Sequence, residues 1–366
     1  MIEITHYLKL MADKKAVDMF FSSGTPVHIK IESDLLPIGR TPLNPDVVQK
    51  LAYSLLTDAQ IQTFEKELEM NLGVSRTGIG RFRVNIYRQR GSIAMVIRYI
   101  KSDIPKVTDL GLPQVLDRRV MEKRGLILVV GATGSGKSTT LAAMIEHRNR
   151  AAASHILTIE DPIEYIYQHN RSIVDQREVG LDTLSYGDAL KNAMREAPDV
   201  ILIGEIRDIE TMQSAITYAE TGHLCLSTLH ANNANQTLDR IINFFPEQVR
   251  GQILGDLSVN LKAIISQRLV RRKDGGLVPA IELLIPSPHI RTLIQKGELT
   301  EIKRAMTDSG DPGVQTFDQS LFEYLSDGVV TQEEALKHAD NPNDLALRIQ
   351  FSGVGDSVQT DNLLMD

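Results

Sequence analysis

A chain of 366 residues, 42% of them hydrophobic, has the length for two globular domains and the apolar side chains to fill a core in each. With 47 acidic against 40 basic residues the formal net charge is −7, which argues against a globally basic nucleic-acid binder; a single cysteine excludes a disulfide framework and a cysteine-based metal site within one chain. No run approaches the ~18 apolar residues of a membrane span, and Met1-Ile2-Glu3-Ile4-Thr5-His6 lacks a basic segment followed by an apolar one, so the expected location is the cytoplasm.

In chain order, Ile4 to Met19 carries a broken helical period, and Val27-His28-Ile29-Lys30-Ile31 alternates as a strand does. Pro45 to Leu56 reads as a helix. Arg81-Phe82-Arg83-Val84-Asn85-Ile86-Tyr87 and Ile93 to Ile100 read as two strands around a turn at Gly91. Residues 1–100 are therefore expected to form a small α+β domain. Pro105, Gly111 and Pro113 with scattered charge mark 101–124 as a linker.

From Gly125 the pattern changes to apolar runs separated by helical stretches: Leu126 to Val130, Ile156 to Ile159, Val200 to Ile203 and Leu224 to Leu229. Such runs predict parallel strands buried on both faces, hence an α/β domain over 125–351, helical again from about Asp308. The polar segment 352–366 is expected to be a disordered tail. Cys225 sits within an apolar run and reads as a small buried residue.

Gly131-Ala132-Thr133-Gly134-Ser135-Gly136-Lys137-Ser138 fits G-x-x-x-x-G-K-[ST] in full, between a strand-like run and the helix candidate that begins Thr139-Thr140-Leu141. Glycines let backbone amides turn inward around phosphate oxygens, and the positive end of the helix adds field where the anion sits. Thr133, Gly134, Ser135, Gly136, Lys137, Ser138 and Thr139 form the expected phosphate-binding set, with Lys137 reaching the β- and γ-phosphates and Ser138 placing a hydroxyl on Mg²⁺. The competing reading is a glycine-rich turn with a solvated lysine.

Hydrolysis also needs carboxylates, to hold the waters of a metal and to orient the attacking water. Thr158-Ile159-Glu160-Asp161-Pro162-Ile163-Glu164 puts three acids after one strand-like run, and Val200-Ile201-Leu202-Ile203-Gly204-Glu205 puts Glu205 after another. Either group could instead cap a helix or pair on the surface. Position after successive parallel strands favours a site, because ligands of open α/β sheets lie outside the carboxyl ends. His223 and His230 stand at opposite ends of one run, roughly 23 Å apart along an extended strand, too far to share a metal. A strand-end histidine on its own reads as structural. Arg195 and Arg207 flank the Glu205 strand, and Arg81 and Arg83 share one face of an earlier one, where a solvated face is the simpler reading.

Taken together, the phosphate loop, Thr158 to Glu164, Leu202 to Asp208 and Thr221 to His230 resemble in order and spacing the Walker A, Asp box, Walker B and His box of secretion ATPases. The similarity extends over nearly the whole chain to the PilT/PilU branch, the type IV pilus retraction ATPases, from Arg81-Phe82-Arg83-Val84-Asn85 to Gln315-Thr316-Phe317-Asp318-Gln319-Ser320-Leu321. The resemblance implies a PAS-like first domain, a RecA-like ATPase domain, and a homo-hexamer with ATP at its interfaces. By matching position it implies Glu164 as general base, Glu205 holding Mg²⁺ through water, His230 sensing the γ-phosphate with His223 in support, and Arg195, Arg207, Arg81 and Arg83 near phosphate or nucleotide. It further implies a PilT-type motor and the inner-membrane pilus platform protein as partners, and a peripheral place at the pilus base.

Assembly and type II secretion relatives usually carry a four-cysteine zinc motif and a long extra amino-terminal domain, and this chain shows neither. The retraction motif Ala-Ile-Arg-Asn-Leu-Ile-Arg-Glu appears as His289-Ile290-Arg291-Thr292-Leu293-Ile294-Gln295-Lys296, and Ser-Asp-Leu-His-Leu-Ser as Val17-Asp18-Met19-Phe20-Phe21-Ser22. Both changes resemble the PilU side of the branch, the accessory retraction motors. A nucleotide-gated structural partner of another motor is the first alternative. A RecA-like nucleic-acid translocase is the second, disfavoured by negative charge and by 5% aromatic residues with no tryptophan.

Overall fold

The computed structural model describes residues 3–32, 34–311 and 313–354; of the expected tail, residues 355–366 lie outside them. The chain divides into two compact units. The first holds the residues up to Asp103 together with Asp161–Gln168 and Arg177–Ser185; the second holds the rest.

The first unit is built on a six-stranded sheet of β1 (Asp18–Phe21), β2 (Val27–Ile31), β3 (Asp34–Ile38), β4 (Glu69–Arg76), β5 (Gly80–Gln89) and β6 (Ser92–Ile100), in the order β3-β2-β1-β6-β5-β4. Every neighbouring pair is antiparallel. Alternation along β5 buries Phe82, Val84 and Ile86 on one face, where they meet Leu8 and Met11 of the helix Ile4–Asp13 and Phe64 of the helix Asp58–Glu67 in one core. The helical period expected as far as Met19 stops at Asp13, and Met19 lies on β1. The reason is visible across the sheet: Asp18 pairs in register with Arg98 of β6 and accepts its Nε–H at 2.7 Å, which holds a buried carboxylate on a strand.

The second unit carries a seven-stranded sheet: β7 (Gly125–Val130), β8 (His155–Glu160), β9 (Ile173–Glu178), β10 (Val200–Ile203), β11 (Leu224–Leu229), β12 (Leu261–Arg271) and β13 (Leu277–Leu284), in the order β13-β12-β7-β11-β10-β8-β9. The expected parallel strands β7, β11, β10 and β8 are hydrogen-bonded neighbours, and Leu224–Leu229 and Gly125–Val130 are buried throughout. An edge hairpin was not expected: β13 runs antiparallel to β12, which is itself parallel to β7. Segment 101–124 contains a 3₁₀ turn at Thr108–Leu110 and a short helix at Val115–Arg119 whose Leu116 is fully buried. The fold class is the expected one, an α+β unit and an α/β unit with a P-loop.

Phe82 has no exposed surface and its ring stands 5.3 Å from that of Tyr99. Phe82→Ala is expected to destabilise the first unit by about 3–5 kcal/mol, read as a lower denaturant midpoint.

Candidate nucleotide site

Parallel register brings the carboxyl ends of the central strands to one edge: Leu229 pairs with Val130, Ser227 with Ile203, and Ile203 with Ile159. The loop 131–136 leaves β7 at this edge. Gly131, Gly134 and Gly136 have φ of +151°, +80° and +90°, and two of them are also hemmed in. A Cβ on Gly131 would stand 2.5 Å from both the carbonyl oxygen of Gln267 and Ser135 Oγ, and one on Gly136 would stand 2.7 Å from Gln267 Nε2. Thr140 Oγ1 donates to Gln267 Oε1 at 2.7 Å, so this glutamine of β12, 3% exposed, supports the loop and the first turn of the helix behind it.

That helix, Lys137–Ala151, begins at Gly136 without a side-chain cap and with no acid in its first turn, which leaves its amino-terminal amides to an anion. Lys137 is buried, its Nζ donating to the carbonyls of Gly131 at 3.0 Å and Ala132 at 2.9 Å, so the ammonium lies along the loop. Ser135 Oγ is one of the few buried side-chain polar atoms without a hydrogen-bond partner among the described residues. A glycine cradle that a methyl group would fill, an orphaned buried hydroxyl and an uncapped helix start fit a phosphate chain. Beside it a cavity of about 540 Å³ is lined by Gly131, Ala132, His230, Asn232, Gln236 and Arg240, among others.

Glu205 leaves β10 through Gly204, whose N–H donates to Ile159 O at 2.8 Å. A Cβ there would meet Tyr186 Oη at 3.0 Å and the Glu160 backbone at 3.2 Å, so glycine permits the close approach of β8 and β10. From β11, Ser227 Oγ donates to Ile203 O and Thr228 Oγ1 to Gly204 O, both at 2.7 Å, which fixes the exit of β10. The Glu205 carboxylate then lies between two partners: Arg207 Nε donates to Oε2 at 2.7 Å, and His230 Nε2 lies 2.8 Å from Oε1. The structure thus unites Glu205, Arg207 and His230, of which the sequence placed the first two by one strand-like run and the third at the end of another.

Other expected residues lie elsewhere. His223 precedes β11 at the end remote from His230, its Nδ1 3.3 Å from Tyr218 O and its carbonyl bonded to Gly125 N–H, so within one chain it does not reach the loop after Val130. Arg195 follows the helix Tyr186–Ala193, which starts near Gly204 and runs away from it; the Arg195 side chain is exposed and bonds Asn192 Oδ1 at 3.1 Å.

Glu164, Arg81 and Arg83 belong to the first unit. There Ile166 N–H donates to Lys101 O at 3.0 Å, which ties the segment carrying Glu164 to the end of the sheet. The Arg98 guanidinium is held above its ordinary pKa first by its bond to Asp18, and the charge of exposed Glu164 adds to this. Burial pushes the Glu178 carboxyl up, against the Ile163 N–H and the charges of Arg83 and Arg81. Gln267 was missed because Ser266-Gln267-Arg268 interrupts an apolar run and reads as surface.

The whole site lies within a match to the family model described as Type II/IV secretion system protein, over residues 4–315. The chain belongs to that family. It is a P-loop ATPase. Relatives of the same family include the type IV pilus ATPase PilU of Pseudomonas aeruginosa, 49% identical over 97% of this chain and 94% of the relative. The type IV pilus retraction ATPase PilT of that organism is 40% identical over 93% and 99%. A crystal structure of the pilus retraction motor PilT with bound ADP matches with a TM-score of 0.88 at 41% identity, covering 95% of this chain and all of that one. The Legionella pneumophila ATPase DotB matches with a TM-score of 0.74 at 25% identity.

Gly136→Ala forces a methyl group into a left-handed position 2.7 Å from Gln267, a strain of order 1–3 kcal/mol. Its expected effect is a loss of nucleotide affinity of about tenfold or more, measured with a fluorescent ADP analogue, with the circular dichroism spectrum unchanged.

Proposed function

We propose that this chain is an ATP-driven motor for type IV pilus retraction, working as a homo-hexameric ring. The single observation that carries the reading is similarity over almost its full length to PilU and PilT, coinciding with a P-loop, Glu205 and His230 gathered at one sheet edge. Identity is higher to PilU than to PilT of the same organism, which favours the accessory motor acting beside a PilT-type one. Its expected contacts are that motor and the inner-membrane platform protein, from the cytoplasmic side. Among the described residues no helix is long and apolar enough to cross a membrane, in keeping with a peripheral place.

In this reading the amides of 133–139 and Lys137 bind the ATP phosphates. Among the described residues no three acidic, histidine or cysteine side chains cluster as a metal site, which suits a cation that takes most of its ligands from phosphate and water. Ser138 Oγ and, through water, Glu205 are the groups that would hold Mg²⁺, which when bound neutralises charge on the β- and γ-phosphates. Glu164 takes the proton of the attacking water, and His230 with Arg207 responds to the γ-phosphate from its place on Glu205. Arg195, Arg81 and Arg83 are proposed to approach phosphate in the assembled ring.

Steady-state ATPase assays test the roles. Lys137→Ala is expected to abolish nucleotide binding, and Glu164→Gln to bind ATP normally but turn it over about 10²–10⁴-fold more slowly. Equal rates in wild type and both variants would remove the mechanism. Retraction force measured with the gene deleted, in cells with and without the main motor, separates an accessory role from an independent one.

A further inference from the structure

Glu282 lies on β13 with 2% of its surface exposed and takes no part in the nucleotide site. In the sheet it faces Ser266 of β12, and Ser266 faces Val130 of β7, the residue before Gly131. Its Oε1 accepts two hydrogen bonds, from Ser266 Oγ at 3.0 Å and from Ala234 N–H at 2.7 Å. Ala234 opens the helix Ala234–Phe244, four residues after His230. That helix already has a cap, since Asn233 Oδ1 accepts Gln236 N–H at 2.9 Å. Glu282 therefore adds a second, buried anchor at the same helix start, fastening the 230–233 loop to the strand whose next residue, Gln267, supports the P-loop.

We propose that Glu282 is a positioning residue for ATP turnover, its carboxylate fixing the start of helix Ala234–Phe244 against β12 so that His230 stays on Glu205 at the edge of the P-loop. This role rests on His230 acting in turnover, and separate variants of the two residues distinguish the failure of one from the failure of the other.

A glutamine Oε1 could accept both bonds, so Glu282→Gln keeps the anchor while an apolar residue there removes it. The charged groups around Glu282 are Asp340 and Lys303, with Lys303 Nζ 3.0 Å from Asp340 Oδ2 and Arg268 Nη2 2.6 Å from Oδ1. Burial pushes the Glu282 carboxyl up to about 7, with Asp340 adding to the rise and the Ala234 N–H, Ser266 hydroxyl and Lys303 opposing it. For an acid raised from 4.5, the stabilising contribution is present below the unfolded value and is lost as pH rises through about 7.

The experiment compares wild type, Glu282→Gln, Glu282→Leu and His230→Ala as full chains, measuring kcat and KM for ATP, and thermal midpoints from about pH 5 to pH 8. Glu282→Gln keeps an acceptor for both bonds and is expected to melt higher than wild type at the alkaline end, with the gap closing towards the acid end, and to hold wild-type kcat. Glu282→Leu loses both bonds, and its kcat should fall roughly tenfold with KM for ATP nearly unchanged. A merely structural glutamate would lower the melt of Glu282→Leu and leave the kcat of the folded enzyme unchanged. Wild-type kcat in Glu282→Leu, or a kcat in Glu282→Gln that falls as far as in Glu282→Leu, would overturn the proposal. Wild-type turnover in His230→Ala would instead remove the histidine's role, and with it the route by which Glu282 acts.

Discussion

Parallel hydrogen bonding of β7, β11, β10 and β8 is the constraint on which the site depends. Strands buried on both faces hold polar side chains only where internal hydrogen bonds satisfy them, so groups free to act on a ligand are confined to the residues beyond the last buried one. Register then decides which residues meet, and Val130, Leu229, Ile203 and Ile159 end side by side. A slip of one residue would turn every side chain of a strand to the opposite face. The hydroxyls of Ser227 and Thr228 lock β10 in place by bonding the carbonyls of Ile203 and Gly204. Only with that exit fixed can one carboxylate, Glu205, lie within reach of both Arg207 and His230.

This dependence explains what could be read in the sequence. The P-loop and the four central strands were legible because glycine spacing and apolar runs are local signals. Glu205 and His230 were legible as strand-end residues, while their direct pairing was not, because it depends on which strands are neighbours. The hairpin β12–β13 was invisible for a different reason. Lys262, Ser266, Gln267 and Arg268 break its apolar pattern, yet Ser266 and Gln267 are buried, Ser266 bonded to Glu282 and Gln267 to Thr140. Polarity that is satisfied across the sheet looks like surface when only the chain is seen.

The first strand, β1, shows the same effect. Asp18 carries a charge into a run that otherwise suits a strand, and the helical period upstream made a longer helix the easier reading. Arg98, eighty residues away, decides the matter by supplying the ion pair that lets Asp18 be buried on β1. A partner so far along the chain leaves no trace in local periodicity.

Glu164 reaches its place by another route. The chain contributes three segments to each compact unit, so it passes between them five times, and Glu164 lies on one of the two short segments that return to the first. Those segments bring buried Ile163, Tyr165 and Tyr167 with them, and Glu178 sets a buried carboxyl against Arg81 and Arg83. A fragment ending at Asp103 would lack these residues and leave the guanidinium groups of Arg81, Arg83 and Arg98 without the acids of the returning segments. The acid proposed as general base is therefore built into the α+β unit by apolar burial and charge, while Lys137, Glu205 and His230 are built into the α/β unit by strand register. Two separate packing problems thus place the two sets of groups.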